Sequence, residues 1–430
     1  MDEIWQRGAV GIAGLIRQRT VSSVEVVEAF LGRIEEVNPI INAVVVLTGD
    51  RAIDEARDAD ASLARGQTFG PLHGVPFTVK DMFDTAGVET SAGIPERVGV
   101  VPSHDAAAVA RMRGAGAILL GKTNVPPGGS GGVAENAVHG RTNNPYAIER
   151  SPAGSSGGEA AIQSAGGSPV GVGSDSGGSL RVPAHFCGVA ALKPTTGRVP
   201  NTGAFRQPGG LSDTRTQIGP LSRYVEDLAQ VFEILAGPDG VDSGVAPMPI
   251  ADPSAVELAG LRVAFYTDDG TTPTTPDTVA AIRDAADALV AGGAEVSEAC
   301  LEHVGADALD ISRRYWAWED LAGGETVRLL SDWDGFRTRM LGFMGSFDLI
   351  VCPTSPGPAN PHGEGLDTMF NYTLPFSLSG QPCVVVPSGR STEDLPIGVQ
   401  VVGPVWQEDV VLAVAGYLEL TVGGWRRPPI

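Results

Sequence analysis

The stretch Ser151–Val199 reads "SPAGSSGGEAAIQSAGGSPVGVGSDSGGSLRVPAHFCGVAALKPTTGRV". Within it "GGEAAIQSAGG" has the pattern of a short helix closed by glycines, and "SPVGVGSD" that of a short apolar strand. A tight glycine–serine turn follows at once. A strand that is apolar throughout, beside a helix, belongs to a sheet covered on both faces. The same alternation continues in both directions. Upstream, "GVPFTVKD" is a β-rich run ending at Lys80, and "HDAAAVARMRGAGAILLGKTN" reads as helix, glycine break and buried strand. Downstream, strands are expected at 261–266, 294–298, 347–352, 383–387 and 397–402, with helical patterns between them, notably at 277–291 and 407–421. Residues 1–66 read as helical: Val24, Val27, Phe30, Leu31 and Ile34 recur at helical spacing, and Ser22 with Glu25 forms a capping box. Gly237–Gly260, rich in Gly, Pro and Asp, reads as a surface excursion. No repeat and no clean break divides the chain, so 1–430 is expected to form a single α/β domain.

Composition narrows the function. The net charge of −21 repels phosphate backbones and anionic lipid, which argues against nucleic-acid and membrane partners. No apolar run approaches the roughly 18 residues of a membrane span, and the acidic start "MDEIWQRGAV" does not resemble a signal peptide. Cys187, Cys300, Cys352 and Cys383 make no C-x-x-C pair, and the six histidines show no ligand spacing. A cytoplasmic protein without metal or organic cofactor is expected. Of thirty basic residues only Lys80, Lys122 and Lys193 are lysine. Arginine keeps its proton in proteins and lysine can lose it when buried, so retention of lysine at these places invites a chemical reading.

The opening stretch contains three serines in glycine-rich turns: Ser155, Ser156 and Ser179. "GSSGG" fits the G-x-S-x-G elbow of an α/β-hydrolase esterase with Ser156 as nucleophile. Its preceding "YAIERSPA" is polar where a strand should stand, and nothing marks His303 or His362 as the partner base. Ser179 instead follows a buried strand directly, in a turn whose glycines let backbone N–H groups converge on one point, as an oxyanion hole requires.

This segment resembles the signature of the amidase signature family, and the resemblance extends along the chain. "LHGVPFTVKDMFDTAG" is similar to that family's lysine motif, "GKTNVPPGGSGGVAENAVHGRTNNPY" to its next block, and "CGVAALKPTTGRV", "IGPLSRYVEDLA", "FDLIVCPTSPGPA", "LPFSLSGQPCVVVPSG" and "LPIGVQVVGP" to those that follow. The resemblance implies a central mixed β-sheet covered by helices on both faces, with residues 70–225 as the signature core. It makes Ser179 the nucleophile, Ser155 a bridging serine after a cis Gly154–Ser155 peptide, and Lys80 the terminal base. It puts the N–H groups of Ser176, Gly177, Gly178 and Ser179 in the oxyanion hole. The implied substrate is a small-molecule amide or carbamate, handled by a monomer or homodimer.

A free lysine titrates near pH 10.4, so work as a base at neutral pH needs burial to lower that value by about three units. A relay hydroxyl then lets a buried amine reach a nucleophile it does not touch. Where many relatives of the family carry a bulky residue after "GKTN", this chain has Gly128, Gly129 and Ser130, which implies a wider acyl pocket. The segment 200–213 is expected to be a lid, with Phe205 and Arg206 touching substrate. Bulky or aryl amides, anilides and carbamates (urethanes) are the expected substrates. The alternative within the family is the glutaminase-type component of a tRNA-dependent amidotransferase complex.

Overall fold

The computed structural model describes residues 3–204 and 215–430. In chain order its strands are β1 (Val44–Leu47), β2 (Pro76–Lys80), β3 (Ile118–Thr123), β4 (Glu135–Asn136), β5 (Gly140–Arg141), β6 (Val170–Asp175) and β7 (Ala190–Lys193). They continue as β8 (Gln217–Ser222), β9 (Arg262–Phe265), β10 (Glu295–Glu298), β11 (Leu349–Pro353), β12 (Cys383–Arg390) and β13 (Pro396–Val402). The ribbon β4–β5 stands apart; the other eleven form one sheet in the order β1-β3-β2-β6-β8-β7-β12-β13-β11-β9-β10. The sheet is mixed. Strand β2 runs parallel to β3 and β6, β9 runs parallel to β10 and β11, and the remaining pairs are antiparallel.

The helices are α1 (Ala9–Arg17), α2 (Ser23–Ile41), α3 (Gly49–Ala64), α4 (Ala107–Gly114), α5 (Gly157–Ser164) and α6 (Arg181–Cys187). The second half adds α7 (Val225–Leu235), α8 (Pro276–Ala291), α9 (Val304–Trp316), α10 (Gly323–Met344), α11 (Leu374–Ser379) and α12 (Glu408–Thr421). The capping box of α2 is present: Ser22 Oγ accepts from the Glu25 N–H at 3.1 Å, and the Glu25 carboxylate accepts from the Ser22 N–H at 2.8 Å.

Helices cover both faces, and strand periodicity shows how. Val384 and Val386 of β12, with Leu349 and Val351 of β11, pack against Ile282 and Leu289 of α8 and Leu412 of α12. Their alternates Cys383, Ile350 and Cys352 pack against Ile311 of α9, Phe336 of α10 and Leu374 of α11. Strands buried on both sides need apolar residues at every position, which is why these runs show no polar alternation. The four cysteines are free thiols, three of them buried. Among the described residues no helix is long and apolar enough to cross a membrane, and no three His, Cys, Asp or Glu side chains gather as a metal site.

Two neighbouring parallel strands fix the place of the site. Thr78 and Val79 of β2 pair with Gly171 and Val172 of β6, so both strands end on the same edge of the sheet. Lys80 closes one and Asp175 the other. The crevice outside the carboxyl ends of parallel strands is where α/β sheets place ligands.

Candidate active site

Lys80 is fully buried, and its Nζ donates to Ser155 Oγ at 2.6 Å and to Ser174 Oγ at 2.8 Å. Burial disfavours the ammonium and brings its pKa down to about 7, against the opposing pull of Asp175 and Glu159. Near neutral pH a substantial fraction is therefore a free amine. The peptide bond Gly154–Ser155 is cis. Ser155, 2% exposed, lines a cavity of about 490 Å³, and Ser174, Ser176, Gly177 and Ser179 line the same cavity. The structure thus brings Lys80, Ser155 and the Ser176–Ser179 turn to one place.

Asp175 builds that turn. Its Oδ1 accepts from the Gly178 N–H at 2.7 Å and from Arg181 Nη2 at 3.0 Å, while Oδ2 accepts from Arg181 Nε at 2.9 Å and the Leu180 N–H at 3.2 Å. Burial opposes the Asp175 charge, and Arg181, with Lys193 and the Leu180 N–H, outweighs it, leaving the carboxyl below its usual range. The Asp175–Arg181 pair holds the turn that carries Ser179. It also corrects one expectation: the Gly178 N–H points at Asp175 and does not belong to the anion site. Gly178 has φ 137°, and a Cβ there would collide with Thr373, so only glycine fits. The N–H groups of Ser176, Gly177 and Ser179 bond nothing in the chain among the described residues. Three donors facing a cavity can stabilise a carbonyl oxygen as it becomes negative.

Ser156 faces the other way. Its Oγ donates to the Ser174 carbonyl at 3.2 Å and accepts from the Ser174 N–H at 3.3 Å, and its own N–H donates to the Ser179 carbonyl at 3.2 Å. It ties the two serine turns together. His303 pairs with Glu302, and His362 Nε2 lies 3.2 Å from the Ile148 carbonyl; neither lines the cavity. The Ser156 elbow reading fails on this geometry.

Of the expected substrate contacts, Gly128, Gly129 and Ser130 line the cavity, with Gly131 and Gly132 beside them. Phe205 and Arg206 lie outside the described residues. Sequence reasoning missed the bulky part of the lining: Tyr315, Trp316, Trp318, Leu366 and Phe370. The Trp316 ring touches the turn itself, since a Cβ at Gly177 would lie 3.4 Å from its Cζ2. Arg215 stacks on two of these rings, its guanidinium 4.3 Å from the Tyr315 ring centre and 5.0 Å from that of Trp316. Aromatic residues make up only 6% of the chain, and three of them fall in Tyr315–Trp318, a signal the sequence did carry. Ser174, the second acceptor for Lys80, was also missed.

The other two lysines are buried but differently held. Lys122 Nζ donates to the Phe83 carbonyl at 2.7 Å and Thr90 Oγ1 at 2.9 Å and lies 3.4 Å from Asp81 Oδ1. Lys193 Nζ donates to the Pro194 carbonyl at 2.9 Å. Neither lines the cavity.

The chain matches the amidase family over residues 25–323 and 328–412. It belongs to the amidase family. One relative, a glutamyl-tRNA(Gln) amidotransferase subunit from Roseiflexus sp. (strain RS-1), is 33% identical over 95% of this chain and 95% of its own. The solved structure of 6-aminohexanoate cyclic dimer hydrolase superposes with a TM-score of 0.88 at 30% identity, covering 100% of this chain and 99% of that one. A bacterial aryl acylamidase superposes with a TM-score of 0.87 at 25% identity, with 96% of each chain covered. The protein is an amidase-signature hydrolase that acts on amide C–N bonds in a single α/β domain built on a large mixed sheet.

Proposed function

We propose that this amidase hydrolyses uncharged bulky or aryl amides, anilides foremost and carbamates by the same route, through an acyl-enzyme on Ser179. The observation that carries this is the 2.6 Å contact of Lys80 with Ser155, on the cavity that Ser179 also lines. The neutral Lys80 amine takes the proton of Ser155 as Ser155 takes that of Ser179, and the Ser179 oxygen attacks the carbonyl carbon. The oxygen that becomes negative is met by the N–H groups of Ser176, Gly177 and Ser179. Lys80 then returns the proton through Ser155 to the leaving nitrogen, and the C–N bond breaks. Water, deprotonated by the same relay, attacks the acyl-enzyme and releases acid and free Ser179. No proton is gained or lost over the cycle apart from those of the water consumed.

The walls support the substrate class. The cavity is lined by the glycines Gly128, Gly129, Gly131 and Gly132 and by the rings of Tyr315, Trp316, Trp318 and Phe370, which suits a flat, apolar group. The described lining contains no ionised side chain to receive an amino acid's ammonium or carboxylate. The glutaminase-type component of an amidotransferase is kept as second reading because of the 33% identity to such a protein over nearly the whole chain.

A panel of anilides, primary amides, carbamates and glutamine, assayed with the isolated wild-type chain and with Ser179→Ala, tests both. Turnover of anilides by the chain alone, abolished in Ser179→Ala, is the expected result. Turnover of glutamine alone, or activity that requires a partner complex, supports the second reading.

A further inference from the structure

Behind Lys80, away from the cavity, lies a second buried ionisable group that the reaction as written does not use. Glu159 of α5 is fully buried. Its carboxyl accepts from Thr78 Oγ1, from Gln163 Nε2 at 2.9 Å and from Thr123 Oγ1 at 2.8 Å. Thr78 and Lys80 stand two residues apart on β2 and therefore project to the same face. Strand β6 leaves room for the carboxyl, since a Cβ on Gly171 would collide with Glu159 Oε1. All three partners are neutral. Among the described residues no cation makes an ion pair with Glu159, although a buried carboxylate without a counter-charge is costly.

The other charges on the elements packed around α5 have partners of their own, ionic or carbonyl. Asp175 at the end of β6 is held by Arg181 of α6. Lys122 of β3 faces Asp81. Arg33 of α2 donates to the Ala165 carbonyl and pairs with Glu36, and Arg223 after β8 donates to the carbonyls of Gln163, Ser168, Trp5 and Arg7. Lys80 bonds only hydroxyls, and of the two carboxylates that act on it Asp175 is already held by Arg181, which leaves Glu159.

We propose that Glu159 is a positioning residue for the base, its carboxylate supplying the counter-charge for the ammonium that forms on Lys80 while Ser179 is acylated. The inference rests on the reading of Lys80 as that base. Glu159 acts through the field, because Lys80 and Glu159 bond different hydroxyls and pass no proton between them. Burial pushes the Glu159 carboxyl up to about 7, with the hydrogen bonds from Thr78, Gln163 and Thr123 and the charge of Lys80 opposing it. The three donors all point at carboxylate oxygens, and an ammonium formed on Lys80 favours the same ionised form of Glu159. A glutamine here would keep the same bonds, accepting from Thr78 and Gln163 and donating to Thr123. Structure alone would be satisfied by glutamine; the charge would not.

The test is the pH profile of kcat/KM on an aryl anilide from about pH 5 to about pH 9 for wild type, Glu159→Gln, Thr123→Val and Lys80→Ala, with melting curves. Without the carboxylate Lys80 loses its proton more easily and is a weaker base. Glu159→Gln is expected to move the acid limb to lower pH by roughly one unit and lower the plateau about tenfold. Thr123→Val, which removes one donor from the carboxylate, should move the limb the same way by less, and it carries the test if Glu159→Gln does not fold. A limb that stays in place or moves up in a folded variant overturns the inference. If Lys80→Ala keeps the wild-type profile, the base assignment itself is wrong, and the same data show it.

Discussion

Lys80 ends β2 and Lys122 stands one residue before the end of the neighbouring parallel β3, with Val79 paired to Lys122 and Lys80 to Thr123, and both side chains are fully buried. One faces hydroxyls and the other a carboxylate. Lys80 touches Ser155 and Ser174, and burial brings it down to about 7. Lys122 sits between a carbonyl, a threonine hydroxyl and Asp81, and burial lowers it to about 8 against the pull of Asp81. Burial alone does not make a base. The partner decides, because a carboxylate fixes the proton on the amine while a hydroxyl offers another to be taken.

The largest expected effect is on the Lys80 side. Ser179→Ala should abolish turnover, and Lys80→Ala should lower kcat/KM on the order of 10⁴-fold, since members of one relay fail together. Steady-state rates on an anilide check both. Next comes pH. The free amine is the active form, so kcat/KM should fall as pH drops through about 7 and level off above it. The Lys122→Met variant sharpens the contrast: leaving Asp81 buried without its cation should cost about 3–5 kcal/mol in chemical denaturation. Its acid limb should stay where the wild-type limb lies.

Smaller effects separate the walls from the chemistry. Trp316→Ala should lower kcat/KM for aryl substrates roughly threefold to tenfold, with little change for small aliphatic amides, in a side-by-side substrate panel. Ser156→Ala removes a tie between two turns and should cost about 1 kcal/mol of stability, with activity retained. Loss of all activity in Ser156→Ala would revive the elbow reading.

Much of this was legible in the sequence, for physical reasons that particular residues show. Strands β11 and β12 could be read because burial on both faces leaves an uninterrupted apolar run, as at Leu349–Cys352 and Cys383–Pro387. Lys80 stood out because arginine meets nearly all other needs for positive charge. Strand β8 was missed because Gly219 and Pro220 sit inside it and erase the strand pattern. The aromatic wall was missed because α9 reaches the Ser176–Ser179 turn only through the order of the sheet, which no local pattern encodes. The use of the Gly178 N–H by Asp175 depends on one side-chain rotation, equally invisible in the chain. Ser174 looked like one more small residue at a strand end until Lys80 was found donating to it.

The most direct measurement is the rate of acyl transfer to the enzyme itself as a function of pH, read by rapid quench and intact mass with the modified peptide located. The predicted result is an adduct on Ser179 whose rate of formation rises about tenfold per pH unit up to about 7 and then levels. An adduct on another residue, or a rate indifferent to pH across that range, would contradict a buried amine arming Ser179 through Ser155.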